Sequence, residues 1–199
     1  MPSAQLISII GPPASGKTTL AENLCQDLGG RIIREDFAGN PFLPAAYAGD
    51  ADARLPGQIY FLMSRVAQLS AASWPQSGLS ISDYGFCQDR IFAEASLSES
   101  DMQVYERIAR PAAAVVRPSD VLICLHAPEE VLLDRIRGRG RNFERAITAH
   151  FLRRLDIAYQ DAASQAACPV IRIDAADVDL RDEAMRQPLV ERVRSHLAT

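Results

Sequence analysis

A glycine loop set between an apolar run and an amphipathic segment limits what this chain can fold into more than any other feature. Gly11-Pro12-Pro13-Ala14-Ser15-Gly16-Lys17-Thr18 fits the spacing GxxxxGK[ST] and follows Leu6-Ile7-Ser8-Ile9-Ile10. It opens a segment that carries Leu20, Leu24 and Leu28 on one helical face. A strand that turns through such a loop into a helix aims backbone N–H groups and a helix N-terminus at one point, which makes a phosphate cradle. Lys17 is then expected to reach the β- and γ-phosphates of a nucleoside triphosphate, and Thr18, followed by Thr19, to place its hydroxyl on Mg²⁺. Lys17 is the only lysine among 21 basic residues. Arginine is a poor replacement there, because a compact ammonium fits a pocket that a planar fork overfills.

The rest of the chain alternates apolar runs with helical patterns. Further strands are expected at 31–34, 79–82, 121–125 and 170–173. Helices are expected at 18–28, 58–73, 129–137 and 145–166, and over 89–116 with breaks at Pro111 and Pro118; a last helix lies within 182–197. The segment 35–57, rich in Gly, Pro and Ala, reads as irregular or short helical structure. This alternation implies one α/β domain over 1–199, a parallel sheet with helices on both faces and right-handed crossovers.

Composition closes off several functions. The chain has 199 residues, 48% hydrophobic and 23% charged, which suits one packed core. No apolar run approaches the roughly 20 residues of a membrane helix. Met1-Pro2-Ser3-Ala4-Gln5 has no charged region of the kind that opens a secretory leader. A net charge of −4 argues against a protein that coats nucleic acid. Cys25, Cys87, Cys124 and Cys168 form no CxxC pair, and His126, His150 and His196 no ligand spacing. Reduced thiols in a cytoplasmic protein without zinc are expected.

Charged and polar residues fall where a phosphoryl-transfer site needs them. Ligands of open parallel sheets sit at the carboxyl ends of the strands, where Glu35-Asp36 and Asp83 fall. Asp83 is expected to serve magnesium; Glu35 reads either as a helix cap or solvated turn, or as the carboxylate such a kinase needs near the acceptor hydroxyl. Arg135, Arg137, Arg139 and Arg141 fall at every second position, with Gly138 and Gly140 between the last three, as a mobile lid that lends cations to the transition state or as a solvated basic face. Gln58 and Arg65 lie about 20° apart around a helix, on a stripe with Phe61, Leu62 and Leu69. Two long polar side chains on an apolar stripe either snorkel or find partners, such as a nucleobase. A GTPase would need an NKxD segment, which a chain with one lysine at position 17 lacks. A small-molecule kinase fits the size and the residues.

The segments GPPASGKTT at 11–19, EDFAGNPFLPAAY at 35–47, QIYFLMSR at 58–65, SDYGFCQDRIFA at 82–93 and PEEVLLDRIRGRGRNFE at 128–144, in this order, resemble the deoxynucleoside kinase family, in its bacterial deoxyadenosine/deoxyguanosine kinase branch. The resemblance implies a five-stranded parallel sheet of order 2-3-1-4-5, a lid at about 135–145, and a homodimer built through helices. It implies transfer of phosphate from Mg-ATP to the 5′-hydroxyl of deoxyadenosine, deoxyguanosine or deoxycytidine in nucleotide salvage. Residue by residue, Glu35 matches the base for the 5′-hydroxyl, Tyr47 and Glu144 the residues on the sugar 3′-hydroxyl, and Gln58 the reader of the base edge. Arg65 and Asp89 match an arginine–aspartate pair at the base, Asp83 the acidic residue that helps hold Mg²⁺, and Arg135, Arg139 and Arg141 the lid arginines. The family's D/E-R-S motif reads Asp83-Tyr84-Gly85, so the motif arginine is missing and lid arginines are expected to compensate. The rival readings are a nucleoside monophosphate kinase and a nucleotide-binding regulator without turnover.

Overall fold

The computed structural model describes residues 4–197; Met1–Ser3, on which part of the leader-free reading rests, lie outside them. Five parallel strands form one sheet, β1 (Gln5–Ile10), β2 (Arg31–Ile33), β3 (Leu79–Ser82), β4 (Val121–His126) and β5 (Val170–Asp174), in the order β2-β3-β1-β4-β5. The expected order is borne out. Alternation along β1 sends Ile7 and Ile9 to one face and Leu6 and Ile10 to the other.

On the first face, Leu20, Ala21 and Leu24 of α1 (Lys17–Leu28) pack with Leu189, Val190 and Val193 of α8 (Glu183–Leu197). On the second, Ile10, Leu122 and Cys124 meet Ile91 of α4 (Gln88–Ser96) and Leu155 and Tyr159 of α7 (Ala149–Ser164). Nearer the β2 edge, Leu6 and Ile33 pack against Tyr84 and against Leu69 of α3 (Arg54–Leu69). Among the described residues no helix is long and apolar enough to cross a membrane.

Several expected boundaries move. The helix expected over 58–73 starts one turn earlier, at Arg54, and gives way to a 3₁₀ turn at Ala71–Ser73. The segment 35–57 holds one short helix, α2 (Leu43–Tyr47). The helix expected over 89–116 is two helices, because Leu97 is extended and Ser98 Oγ caps α5 (Glu99–Ala113) by accepting from Asp101 N–H at 3.2 Å. Pro111 lies inside the last turn of α5 and does not end it. Helix α6 (Glu129–Arg139) runs through Gly138 and stops at Gly140, whose φ of 67° and N–H to Ile136 O make the C-cap. The expected mobile glycine loop is therefore a helix end followed by a 3₁₀ turn at Asn142–Ala146, and α7 starts four residues later than expected.

A β-carbon on Gly85 would lie 2.6 Å from Ile10 Cγ2. Gly85→Ser is expected to cost about 1–3 kcal/mol by overpacking. Ile10→Ala removes the clashing methyl, so the double variant should be less destabilised than the sum of the singles in urea unfolding.

Candidate active site

The loop Gly11–Gly16 turns by backbone conformations that favour glycine. Gly11 has φ 145° and Gly16 φ 100°, and a β-carbon on Gly11 would collide with the Leu125 carbonyl oxygen. Ala14 shares the left-handed region at φ 64°. Lys17, at the start of α1, folds back over the loop and donates to the carbonyls of Gly11 at 2.8 Å and Pro12 at 2.9 Å. Burial lowers its pKa to about 8, against the pull of Glu35 and Asp83.

Asp83, at the end of β3, ties three elements together. It accepts from Thr18 Oγ1 at 2.6 Å on one oxygen and from the Glu35 backbone N–H at 2.8 Å on the other. Its own N–H reaches Ile33 O at 3.1 Å. Burial raises the Asp83 carboxyl above its usual range.

Glu35 follows β2 and sits beside a buried ionic cluster. Arg65 on α3 sends one amino group to Glu35 Oε1 and the other to Asp89 Oδ2 at 2.8 Å. Burial opposes the Arg65 charge, but Asp89 and Glu35 outweigh it and hold the guanidinium above its ordinary value. The rings of Phe61 and Tyr84 lie 5.1 and 5.5 Å from Arg65 Cζ. Gln58, one face up α3, donates both amide protons to Asp89, at 2.9 Å to its carbonyl and 3.0 Å to Oδ1. Its own carbonyl is left with acceptor capacity. A second amide, Gln88 Nε2 on α4, donates to Glu35 Oε1 at 2.8 Å.

Two cavities meet at Glu35. The larger, about 330 Å³, is lined by Gln58, Arg65, Tyr47, Phe61, Phe92 and Phe151. The smaller, about 110 Å³, is lined by Lys17, Thr18, Asp83, Arg139, Arg141 and Glu144. Glu35, Tyr47 and Gln88 border both. Tyr47 is held in place from α2, where the buried Asn40 before it donates to Gly57 O at 3.0 Å and accepts from Phe42 N–H at 3.1 Å. Burial raises the Tyr47 hydroxyl, with Glu144 and Glu35 adding to the effect.

The lid docks on this junction. Glu144 is buried and takes the Arg139 guanidinium on both oxygens, Nε at 2.6 Å, with Arg141 at 3.6 Å. Arg141 lies over Phe37 at 4.2 Å, and Phe143 packs edge-on against Tyr47 at 5.7 Å.

The structure therefore brings together Lys17, Thr18, Glu35, Tyr47, Gln58, Arg65, Asp83, Asp89, Arg139, Arg141 and Glu144 around two contiguous cavities. It does not bring Arg135, whose guanidinium is anchored on Ala175 O at 2.6 Å, outside the smaller cavity's lining. The Glu35 side chain is not a helix cap, since its bonds go to Arg65 and Gln88. The side chains that contact the Glu35 carboxylate are Arg65 and Gln88. Tyr84, in the motif position, is buried and donates to Gln68 Oε1 at 2.5 Å. The sequence did not mark Gln88, Phe37 or Phe143. Only Gln88's place beside Asp89 could have flagged it.

Comparison with known proteins agrees with this geometry. The family model for deoxynucleoside kinase matches residues 7–198. The chain is 32% identical to a deoxyguanosine kinase of Bacillus subtilis (strain 168), over 99% of this chain and 98% of that protein. It is 29% identical to a deoxyadenosine/deoxycytidine kinase of the same organism, over 98% and 94%. Among solved structures, a deoxyadenosine kinase from M. mycoides with the products dCMP and a flexible dCDP bound superposes with a TM-score of 0.82 at 24% identity, covering 96% of this chain and 99% of that one. The chain belongs to the deoxynucleoside kinase family, as a phosphotransferase that acts on nucleosides in nucleotide salvage.

Proposed function

We propose that the larger cavity takes a deoxynucleoside bearing an amino group on its base, and that Glu35 accepts the 5′-hydroxyl proton as the γ-phosphoryl of ATP is transferred. The observation that carries this is the place of Glu35 at the junction of the two cavities, with one oxygen held by Arg65 and Gln88. The other oxygen makes no hydrogen bond to any described residue and is the natural acceptor of a substrate proton. Tyr47 and Glu144 bind the sugar 3′-hydroxyl. Gln58, turned by Asp89, presents a carbonyl acceptor to the base. Adenine, guanine and cytosine carry an exocyclic amine to meet it, and thymine does not. The Bacillus subtilis relatives are named for deoxyguanosine, deoxyadenosine and deoxycytidine.

The loop residues Gly11 to Thr19 hold the triphosphate, with Pro12 and Pro13 shaping its first half but donating no N–H. Lys17, Arg139 and Arg141 meet charge on the transferring group, while Arg135 is engaged with the Ala175 carbonyl. Thr18 and Asp83 offer hard oxygen donors side by side, which fits Mg²⁺. When bound, Mg²⁺ neutralises charge on the β- and γ-oxygens.

A monophosphate acceptor fits less well. Of the basic residues in the larger cavity, Arg65 is occupied by two carboxylates, leaving Arg54. We read 1–199 as one domain, with free thiols suited to the cytoplasm. We also infer a homodimer through the faces of α3 and α5 that expose Met63, Val104 and Ile108.

An ATP-coupled assay across four deoxynucleosides and their monophosphates tests the assignment. The three amine-bearing nucleosides should exceed thymidine by about 10² or more in kcat/KM. Glu35→Gln should lower kcat by about 10²–10⁴ with nucleoside affinity retained. A rise in KM alone would make Glu35 a binding residue.

Lys17 adds a pH signature. In the free enzyme its ammonium loses its proton as pH rises through about 8. The kcat/KM for ATP, which reports free enzyme, should therefore fall above that pH. The kcat limb should sit higher, because bound phosphates keep the ammonium charged. Lys17→Arg, slower throughout, should lack the limb. A profile flat to pH 10 in the unsubstituted protein contradicts this.

A further inference from the structure

Gln88 is 3% exposed and opens α4 against both cavities. Its Nε2 donates to the Glu35 oxygen that Arg65 also contacts. Flipping the amide would set its carbonyl against a carboxylate oxygen, so Glu35 fixes its orientation. In that orientation Gln88 Oε1 is buried and has no hydrogen-bond partner. A buried acceptor without a donor is a standing cost to the fold. A methionine of similar length would fill the same space without it. Packing alone therefore does not account for a glutamine here, whereas service to Glu35 does.

We propose that Gln88 is a positioning residue for the phosphoryl-transfer reaction: its amide fixes the plane of the Glu35 carboxylate so that the free oxygen faces the acceptor hydroxyl. Arg65 alone makes one contact with that carboxylate and leaves it free to turn about its terminal bond. Two donors on one oxygen, from α3 and α4, hold the plane. The same pair takes up the orienting work left open by Tyr84, whose hydroxyl is engaged with Gln68. This inference rests on Glu35 acting as the base.

The test uses Gln88→Met, Gln88→Glu and Glu35→Gln beside the unsubstituted enzyme. For each, kcat and KM are measured for deoxyguanosine and deoxyadenosine at saturating Mg-ATP, nucleoside Kd by calorimetry, and Tm without ligands. Gln88→Met should lose about tenfold or more in kcat, with Kd within about threefold and Tm equal to or above that of the parent. Gln88→Glu keeps the shape but turns the donor into an acceptor, and should lose at least as much kcat. A Gln88→Met enzyme with kcat within about twofold of the parent, or one whose loss only tracks a lowered Tm, overturns the proposal. If Glu35→Gln keeps its kcat, the base assignment itself fails, whatever the Gln88 variants do.

Discussion

One buried guanidinium holds the site together. Arg65 stands between the half-buried Glu35 and the buried Asp89, and its positive charge is what lets the two carboxylates persist beside each other. Removing one member of such a cluster typically costs about 3–5 kcal/mol, because the others are left buried and unpaired. The cluster also links two tasks. Asp89 turns Gln58 toward the base end of the larger cavity, and Glu35 stands at its phosphate end. Gln58 and Arg65 are both on α3, so one rigid helix sets the spacing between the side chain that meets Asp89 and the guanidinium that holds Glu35. A substitution at Arg65 therefore disturbs both carboxylates together.

The lid shows the same economy of charge. Arg139 and Arg141 are not loose cations waiting over the loop; Glu144 holds them, and Arg141 rests on Phe37. Glu144 and Tyr47 border the cavity junction from opposite segments and are joined by the Phe143 edge contact. For Arg139 to meet a phosphoryl group it must share or leave Glu144. Under the proposed roles, a sugar hydroxyl on Glu144 would compete for the oxygens that hold Arg139, so a single ion pair would couple acceptor and donor binding.

How much of this could be read from the chain follows from how local each signal is. The strands and the phosphate loop are contiguous runs, and their apolar character and glycine spacing survive without tertiary information. The α3 stripe placed Gln58 and Arg65 on one face correctly, because helical geometry alone decides it. The break at Ser98 carries a local signal too, Ser98-x-x-Asp101, because a capping hydroxyl and its N–H partner lie three residues apart. Gly138 does not break α6, because a glycine costs a helix only about 1 kcal/mol, less than α6 gains by burying Leu132 and Ile136. The contacts of Gln88 with Glu35 and of Arg65 with Glu35 join residues 53 and 30 positions apart, and no periodicity within one segment encodes them.

The same reasoning explains why a tyrosine replaces the motif arginine without emptying the site. Position 84 lies in the core between Leu6, Ile33 and Leu69, with its ring 5.5 Å from Arg65 Cζ. A second guanidinium there would have to desolvate next to the first, with both carboxylates already engaged by Arg65. An aromatic ring gives Arg65 a π face at no charge cost, and its hydroxyl is satisfied by Gln68. Gly85 fits the same packing, since its missing side chain leaves room for Ile10. Tyr84 and Gly85 thus form a packed wall behind Arg65, which supplies the guanidinium at Glu35 from α3.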